Sequence, residues 1–171
     1  VSLKFEPQYM GRLQRAVFAG GCFWGVEELM RKLPGVICVS SGYTGGTKEN
    51  PTYREVCSGK TGHAEAVEVV FDSAKTNFET LCKYFLEIHD PTQANGQGPD
   101  LGSQYRSVIF YLDEVQMVTA EKLLGILRDK HYAVMTEVLP LKRFWNAEPY
   151  HQDYYEHKGT LPYCHFYKKR F

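Results

Sequence analysis

Residues 16–33 read AVFAGGCFWGVEELMRKL and contain the two patterns that decide the fold. The apolar run Ala16–Ala19 predicts a buried strand, and residues 26–33 predict a helix that Pro34 and Gly35 end. One side of this helix follows the i, i+4, i+7, i+8 and i+11 spacing of a single apolar face. That face consists of Cys22, Val26, Leu29, Met30 and Leu33. Cys22 is therefore predicted to lie where a strand turns through two glycines into a helix.

This predicted position favours a reactive thiol at Cys22. The unpaired N–H groups and the dipole at a helix N-terminus stabilise a thiolate relative to a thiol. Gly20 and Gly21 allow a tight turn and leave the sulfur uncovered, while Phe23 and Trp24 add apolar surface for a small nonpolar group. A free cysteine is more often a buried core residue. The position and the flanking glycines nevertheless favour a nucleophile.

The composition is that of an ordinary globular protein. The 171 residues predict one domain, residues 1–171, with an irregular C-terminal tail from about residue 146. Twenty basic and twenty acidic residues cancel, which argues against nucleic acid or an anionic membrane as the main partner. No apolar stretch approaches the ~20 residues that a membrane helix needs. We expect a monomer.

The cysteine pattern favours a reducing compartment. The chain has an odd number of cysteines and no CxxC pair, so neither a zinc ribbon nor a thioredoxin-type dithiol is supported. They are Cys22, Cys38, Cys57, Cys82 and Cys164. Such a set is typical of a cytoplasmic protein with one or two reactive thiols. Cys38 and Cys82 lie in apolar patterns and are predicted core residues. The sequence starts at Val1 with neither a methionine nor a signal peptide, which leaves an upstream targeting segment open.

A third strand is predicted over residues 62–71, and it carries a carboxyl group on an apolar face. Alternation places Glu65 on the same side as Val67, Val69 and Phe71. Burial there disfavours the charged form, so the pKa of Glu65 is expected to be raised. A frayed strand end would instead leave Glu65 in water. The pattern alone leaves both readings open.

The remaining elements complete an α/β order. Strands are predicted at residues 36–39, 108–112 and 137–139, and a further helix at about 113–130. Another helix is expected to start at a capping box of Thr76 and Glu79 and to end before Pro91. Two long loops, residues 42–62 and 92–106, are expected to line a functional site. The order β-α-β-β-α-β-α-β predicts a two-layer, mixed β-sheet packed with helices.

Four motifs resemble those of the A-class peptide methionine sulfoxide reductases. They are Gly20–Gly25, the Gly-His-Ala-Glu motif at Gly62–Glu65, Gly98–Asp100 with Gln104–Ser107, and Pro149–Tyr154. The resemblance runs from near the N-terminus to about Cys164. It implies a ferredoxin-like core and the reduction of methionine S-sulfoxide, free or in oxidised proteins, without a cofactor or metal. It also implies recycling by thioredoxin or a similar dithiol.

The resemblance also assigns roles to individual residues. Cys22 attacks the sulfoxide sulfur, Glu65 protonates its oxygen, and an aromatic pocket of Phe23 and Trp24 suits the methyl group. From the two long loops, Tyr53, Asp100 and Tyr105 are expected to hydrogen-bond that oxygen or a water.

A second thiol is expected to resolve the sulfenic acid left on Cys22. Cys164 lies in an aromatic tail near the end of the sequence, where movement costs little packing, and Cys57 in the first long loop is its rival. The resemblance points to the tail cysteine. Unlike some relatives, the sequence ends without a glycine-rich extension that bears another cysteine.

Parts of the sequence are also compatible with two other functions. A metal module could use His151, His157, Cys164 and His165, but the spacings are loose for zinc. A hydrolytic or acyl-transfer cysteine enzyme needs a base beside the thiol, for which His63 and His89 are the candidates.

Overall fold

The computed structural model describes residues 11–163 and 165–171. The strands are β1 (Leu13–Gly20), β2 (Val36–Thr44), β3 (Ala64–Asp72), β4 (Gly96–Gln97), β5 (Asp100–Leu101), β6 (Ser107–Tyr111), β7 (Glu137–Pro140) and β8 (Trp145–Asn146). The helices are α1 (Phe23–Arg31), α2 (Tyr53–Cys57), α3 (Phe78–Ile88), α4 (Glu114–Asp129) and α5 (Tyr154–Lys158). Within these described residues, no helix is long and apolar enough to cross a membrane.

Six strands form the main sheet, in the order β7-β6-β1-β3-β2-β8. Only the β6–β7 pair is parallel, and the other neighbours run antiparallel. In the central four strands, β3 lies between β1 and β2, and β1 lies between β3 and β6. The crossovers through α1 and α3 are therefore split β-α-β units, which define a ferredoxin-like core. The predicted two-layer, mixed α/β fold is confirmed.

The helices α1, α3 and α4 cover one face of the sheet. Along β1, Ala16 and Phe18 point into this helix-facing core, whereas Val17 and Ala19 belong to a smaller cluster on the opposite face. The ring of Phe18 stacks on Phe85 of α3 with the centroids 4.8 Å apart. Burying one such side chain contributes about 1.5–3 kcal/mol, so the contact between β1 and α3 fixes the strand that ends at the site.

The predicted core position of Cys82 on α3 is confirmed, but the predicted cap of this helix is wrong. Cys82 is buried together with Phe78, Leu81, Phe85 and Leu86. The capping residue is Asn77, whose Oδ1 accepts the N–H of Thr80 at 2.8 Å. Thr76 lies one residue too early to cap the helix.

The prediction that Cys38 is a core residue is also wrong, because Cys38 is only half-buried. The register between β2 and β3 shifts between Val36 and Cys38. In addition, β8 pairs with β2 only at Gly42 and Tyr43, so among residues 11–163 and 165–171 no strand pairs with β2 on that side at Cys38.

Candidate active site

Cys22 lies at the junction between β1 and α1, as predicted. It is the N-cap residue of α1, and its carbonyl accepts the N–H of Gly25 at 3.2 Å. Gly21 has φ +92°, a left-handed conformation that favours glycine. A Cβ on Gly21 would also come within 2.7 Å of the Gln97 side chain. The two glycines thus allow both the turn and the close approach of neighbouring residues. Cys22 is buried, with 7% of it exposed, so the expectation that the glycines leave its sulfur uncovered is wrong.

Glu65 places a neutral carboxyl group beside the nucleophile. On β3 it faces the helices and is 1% exposed, so the alternative of a frayed strand end is wrong. Its Oε1 accepts the N–H of Phe23, the residue after Cys22, at 3.2 Å. Its Oε2 is buried without a hydrogen-bond partner among the described residues. Burial raises the pKa of Glu65 to about 8, the Phe23 N–H opposes this, and the charge of Asp100 adds to it.

The two long loops bring Tyr53, Tyr105 and Asp100 into electrostatic range of Glu65. Tyr53 opens α2, and Tyr105 ends a 3-10 turn at Ser103–Tyr105. Burial, reinforced by the Glu65 carboxylate, raises the pKa of both phenols, so both remain hydrogen-bond donors. Asp100 accepts the hydroxyl of Tyr163 at 3.3 Å.

Phe23 and Trp24 belong to an aromatic cluster that the C-terminal tail completes. The centroid of the buried Phe23 ring lies 6.4 Å from that of Tyr53 and 5.2 Å from that of His151. The indole of Trp24 donates to Nδ1 of His151 at 3.0 Å and stacks on Tyr154, with the centroids 3.8 Å apart. The cluster gives the site an apolar wall.

Two residues that hold the aromatic wall in place, His151 and Glu148, were not predicted from the sequence. Glu148 accepts the hydroxyls of Tyr43 and Tyr150, both at 3.0 Å, and the N–H of Tyr53 at 3.2 Å. Burial would raise the pKa of Glu148, but these donors outweigh it and hold the pKa below its ordinary value. The available signal was the motif Pro149–Tyr154, which contains His151 but was given no role in the site.

Neither candidate base of the hydrolytic hypothesis serves Cys22. His63 accepts the N–H of Gly46 at Nδ1 and donates from Nε2 to a backbone carbonyl. His89 donates from Nδ1 to a backbone carbonyl and accepts the Ser107 hydroxyl at Nε2. Burial lowers the pKa of His89 to about 3. Both rings are therefore held in other hydrogen bonds.

Two tail histidines of the metal hypothesis likewise form hydrogen bonds to other groups. His151 is the acceptor for Trp24, and His165 donates from Nε2 to the carbonyl of Gly20 at 2.6 Å. Over residues 11–163 and 165–171, no group of three His, Cys, Asp or Glu side chains could hold a metal ion. Cys164 itself lies outside the described residues, and Cys57 is exposed on α2.

Known proteins are similar to this chain in both sequence and architecture. The family model for peptide methionine sulfoxide reductase matches residues 14–171. The peptide methionine sulfoxide reductase MsrA of Haloquadratum walsbyi is 49% identical over 153 residues, which make up 88% of this chain and 87% of the relative.

Solved structures agree with this match. Reduced Mxr1 from Saccharomyces cerevisiae is 31% identical with a TM-score of 0.87, and the match covers 96% of each chain. A structure of Mxr1 in complex with Trx2 is similar in fold, with a TM-score of 0.64 at 21% identity, over 98% of this chain and 96% of that one. The chain belongs to the peptide methionine sulfoxide reductase family.

Proposed function

We propose that this enzyme reduces methionine S-sulfoxide, free or in oxidised proteins, with Cys22 as nucleophile and Glu65 as proton donor. The observation that carries the proposal is the Glu65 carboxyl group. One oxygen is held by the Phe23 N–H, next to Cys22, and the other has no partner among the described residues. With a pKa of about 8, the group carries a proton at neutral pH.

The proposed step transfers the sulfoxide oxygen to Cys22. The Cys22 thiolate attacks the sulfoxide sulfur while Glu65 donates its proton to the oxygen. The attack joins the two sulfurs, and the protonated oxygen then passes from the methionine sulfur to the Cys22 sulfur as the sulfur–sulfur bond and the methionine sulfur–oxygen bond break. Methionine leaves as the two-electron-reduced product, and Cys22, oxidised by two electrons, becomes a sulfenic acid whose hydrogen came from Glu65. Proton donation is required because an oxygen leaving without a proton would carry uncompensated negative charge in a buried site.

Aromatic and phenolic groups account for substrate binding in the proposal. Phe23 and Trp24 offer apolar surface to the methyl group, and the Tyr154 ring holds the indole in place. Tyr53 and Tyr105 have high-pKa hydroxyls that can donate to the sulfoxide oxygen. Selectivity for the S epimer follows in this proposal from the separation of the two regions. The methyl group can lie on the aromatic wall while the oxygen meets the tyrosine hydroxyls for only one configuration at the sulfoxide sulfur.

Recycling is proposed to use Cys164 and a dithiol protein. The thiol of Cys164 condenses with the Cys22 sulfenic acid, which forms a disulfide and releases water, and thioredoxin then reduces that disulfide. The tail position of Cys164 and the complex that Mxr1 forms with Trx2 support this proposal. Cys38, Cys57 and Cys82 are free thiols, which supports a reducing compartment such as the cytoplasm.

Replacement of Cys22 tests the nucleophile. Cys22→Ser should abolish dithiothreitol-driven reduction of a methionine sulfoxide peptide, because an alcohol is not a comparable nucleophile at neutral pH. Cys38→Ser, the same change at a half-buried position of β2, is the matched control and should retain the rate. Activity that survives in Cys22→Ser, or that is lost equally in both variants, would contradict the assignment.

A second comparison tests the resolving cysteine. Cys164→Ser should release one equivalent of methionine per enzyme but lose thioredoxin-driven cycling, whereas Cys57→Ser should keep both. Peptide mapping after one turnover should find Cys22 joined to Cys164. A bridge between Cys22 and Cys57 would show that the other thiol resolves the sulfenic acid.

A further inference from the structure

The His165 side chain lies against the turn that carries the nucleophile. The ring is 3% exposed, and its Nε2–H donates to the carbonyl of Gly20 at 2.6 Å. A Cβ on Gly25 would collide with Nδ1, and a Cβ on Gly21 would lie 3.1 Å from Nε2. The glycines on both sides of Cys22 therefore make room for this one imidazole, a role beyond the turn itself.

His165 is a buried point in an otherwise exposed part of the tail. Its neighbour Phe166 is 73% exposed, and Tyr163 is 59% exposed. Further along, the tail is attached to α3, where Glu87 accepts the hydroxyl of Tyr167 and the N–H of Arg170. These later contacts hold the end of the tail on a helix, whereas His165 holds it on the nucleophile turn.

Chain connectivity links this anchor to the proposed resolving thiol. Cys164 is bonded directly to His165, and consecutive Cα atoms are about 3.8 Å apart. Gly20, whose carbonyl binds His165, is two residues before Cys22. A disulfide requires Cα atoms within about 4.4–6.8 Å. The tail is therefore held, at the residue next to Cys164, on the same turn as Cys22.

We propose that His165 is the positioning residue of the resolving step. Its imidazole docks against Gly21 and Gly25, on the carbonyl of Gly20, and so presents Cys164 to the Cys22 sulfenic acid. The step joins the two sulfurs, and the Cys22 oxygen leaves as water with its own hydrogen and the Cys164 proton. The sulfenic sulfur is reduced and the Cys164 thiol oxidised, so no other reagent is needed. The inference rests on the proposed role of Cys164.

The protonation state of the ring fits this role. Burial lowers the pKa of His165, although the bond to Gly20 opposes the shift. The imidazole is therefore neutral at physiological pH, and because a carbonyl only accepts, its proton is on Nε2. The anchor is accordingly present across the pH range in which the enzyme would resolve its sulfenic acid.

Three variants separate positioning from general stability. His165→Ala removes the ring, and His165→Gln keeps an N–H donor at a similar reach. Tyr167→Phe deletes one tail hydrogen bond on α3, away from the nucleophile, and is the matched control. Each reduced variant is mixed with excess methionine sulfoxide peptide and quenched over time, with and without dimedone to trap sulfenic acid. Methionine release, dimedone adduct and the mapped Cys22–Cys164 disulfide are measured in the same samples.

We expect His165→Ala to release methionine at the wild-type rate but to form the disulfide about tenfold more slowly, as the loss of one buried hydrogen bond implies. The dimedone adduct should rise accordingly, His165→Gln should recover most of the rate, and Tyr167→Phe should match the wild type. An unchanged disulfide rate in His165→Ala, an equal loss of methionine release, or an equal effect of Tyr167→Phe would overturn the inference. Wild-type enzyme that releases no methionine, or that joins Cys22 to Cys57, would instead overturn the proposed function.

Discussion

Replacing Glu65 with glutamine isolates the proton donor, because it keeps the shape of the side chain and an oxygen for the Phe23 N–H. With a pKa of about 8, about nine-tenths of Glu65 is protonated at pH 7 and about one-tenth at pH 9. Wild-type methionine release should therefore be highest below pH 8 and should fall about tenfold per unit well above it. General acid catalysis typically contributes about 10²–10⁴-fold, so Glu65→Gln should lose that factor at pH 7.

The assay is methionine release in a single turnover of reduced enzyme from pH 6 to 10, at saturating substrate. Glu68→Gln is the matched control, because it makes the same change on the same strand but on the opposite face, where Glu68 pairs with Arg15. That control should keep the wild-type profile, and Glu65→Gln should lose both the rate and the fall near pH 8. If Glu65→Gln retains near wild-type turnover, or if both variants show the fall, Glu65 is not the donor.

The same substitution should change how stability depends on pH. Burial raises the pKa of Glu65 from 4.5 unfolded to about 8 folded. The contribution of the protonated Glu65 carboxyl group to the free energy of unfolding is thus fully present below pH 4.5 and is lost as pH rises through 8. One pKa unit corresponds to about 1.36 kcal/mol, so the full loss is about 5 kcal/mol. Urea unfolding at pH 5 and pH 9 should show this difference between wild type and Glu65→Gln, and parallel pH dependences would contradict it.

Three further predictions concern the pocket and a helix cap. Trp24→Ala should lower kcat/KM for a methionine sulfoxide peptide by about 10- to 200-fold, the usual effect of apolar contacts to a small group; unchanged kinetics would remove Trp24 from the pocket. Glu148→Ala should lower the free energy of unfolding in urea by about 1–3 kcal/mol, because the buried Tyr43 hydroxyl loses its acceptor, and an unaltered midpoint would refute this. Asn77→Ala should lower the free energy of unfolding in urea by about 1 kcal/mol, and Thr76→Ala should lower it by less than about 0.5 kcal/mol. The reverse order would support Thr76 as the helix cap.

Features set by short-range patterns could be predicted from the sequence. The turn at Cys22 follows from an apolar run, two glycines and a helical period, all within eighteen residues. Strand alternation assigns Glu65 to the apolar face of β3, although the pattern alone left open whether the carboxyl group is buried there. In both cases the local pattern and the final packing agree, which is why the core of the site was predictable.

Other features depend on contacts that no local pattern contains. Trp24 and His151 are 127 residues apart, and His165 reaches Gly20 over 145 residues. The five-residue helix α2 is too short to show a period, although its capping pair, Thr52 and Glu55, is visible in the sequence.

The distance in sequence between Trp24 and His151 has a consequence for synthesis of the chain. At about 5–20 residues per second, the ribosome needs about 6 to 25 s to add the residues between them. During that interval the nascent chain carries Cys22 and then Glu65, but not the tail residues that complete the aromatic wall. The nucleophile therefore emerges before its pocket, and the aromatic wall can form only after His151 and Tyr154 have been synthesised.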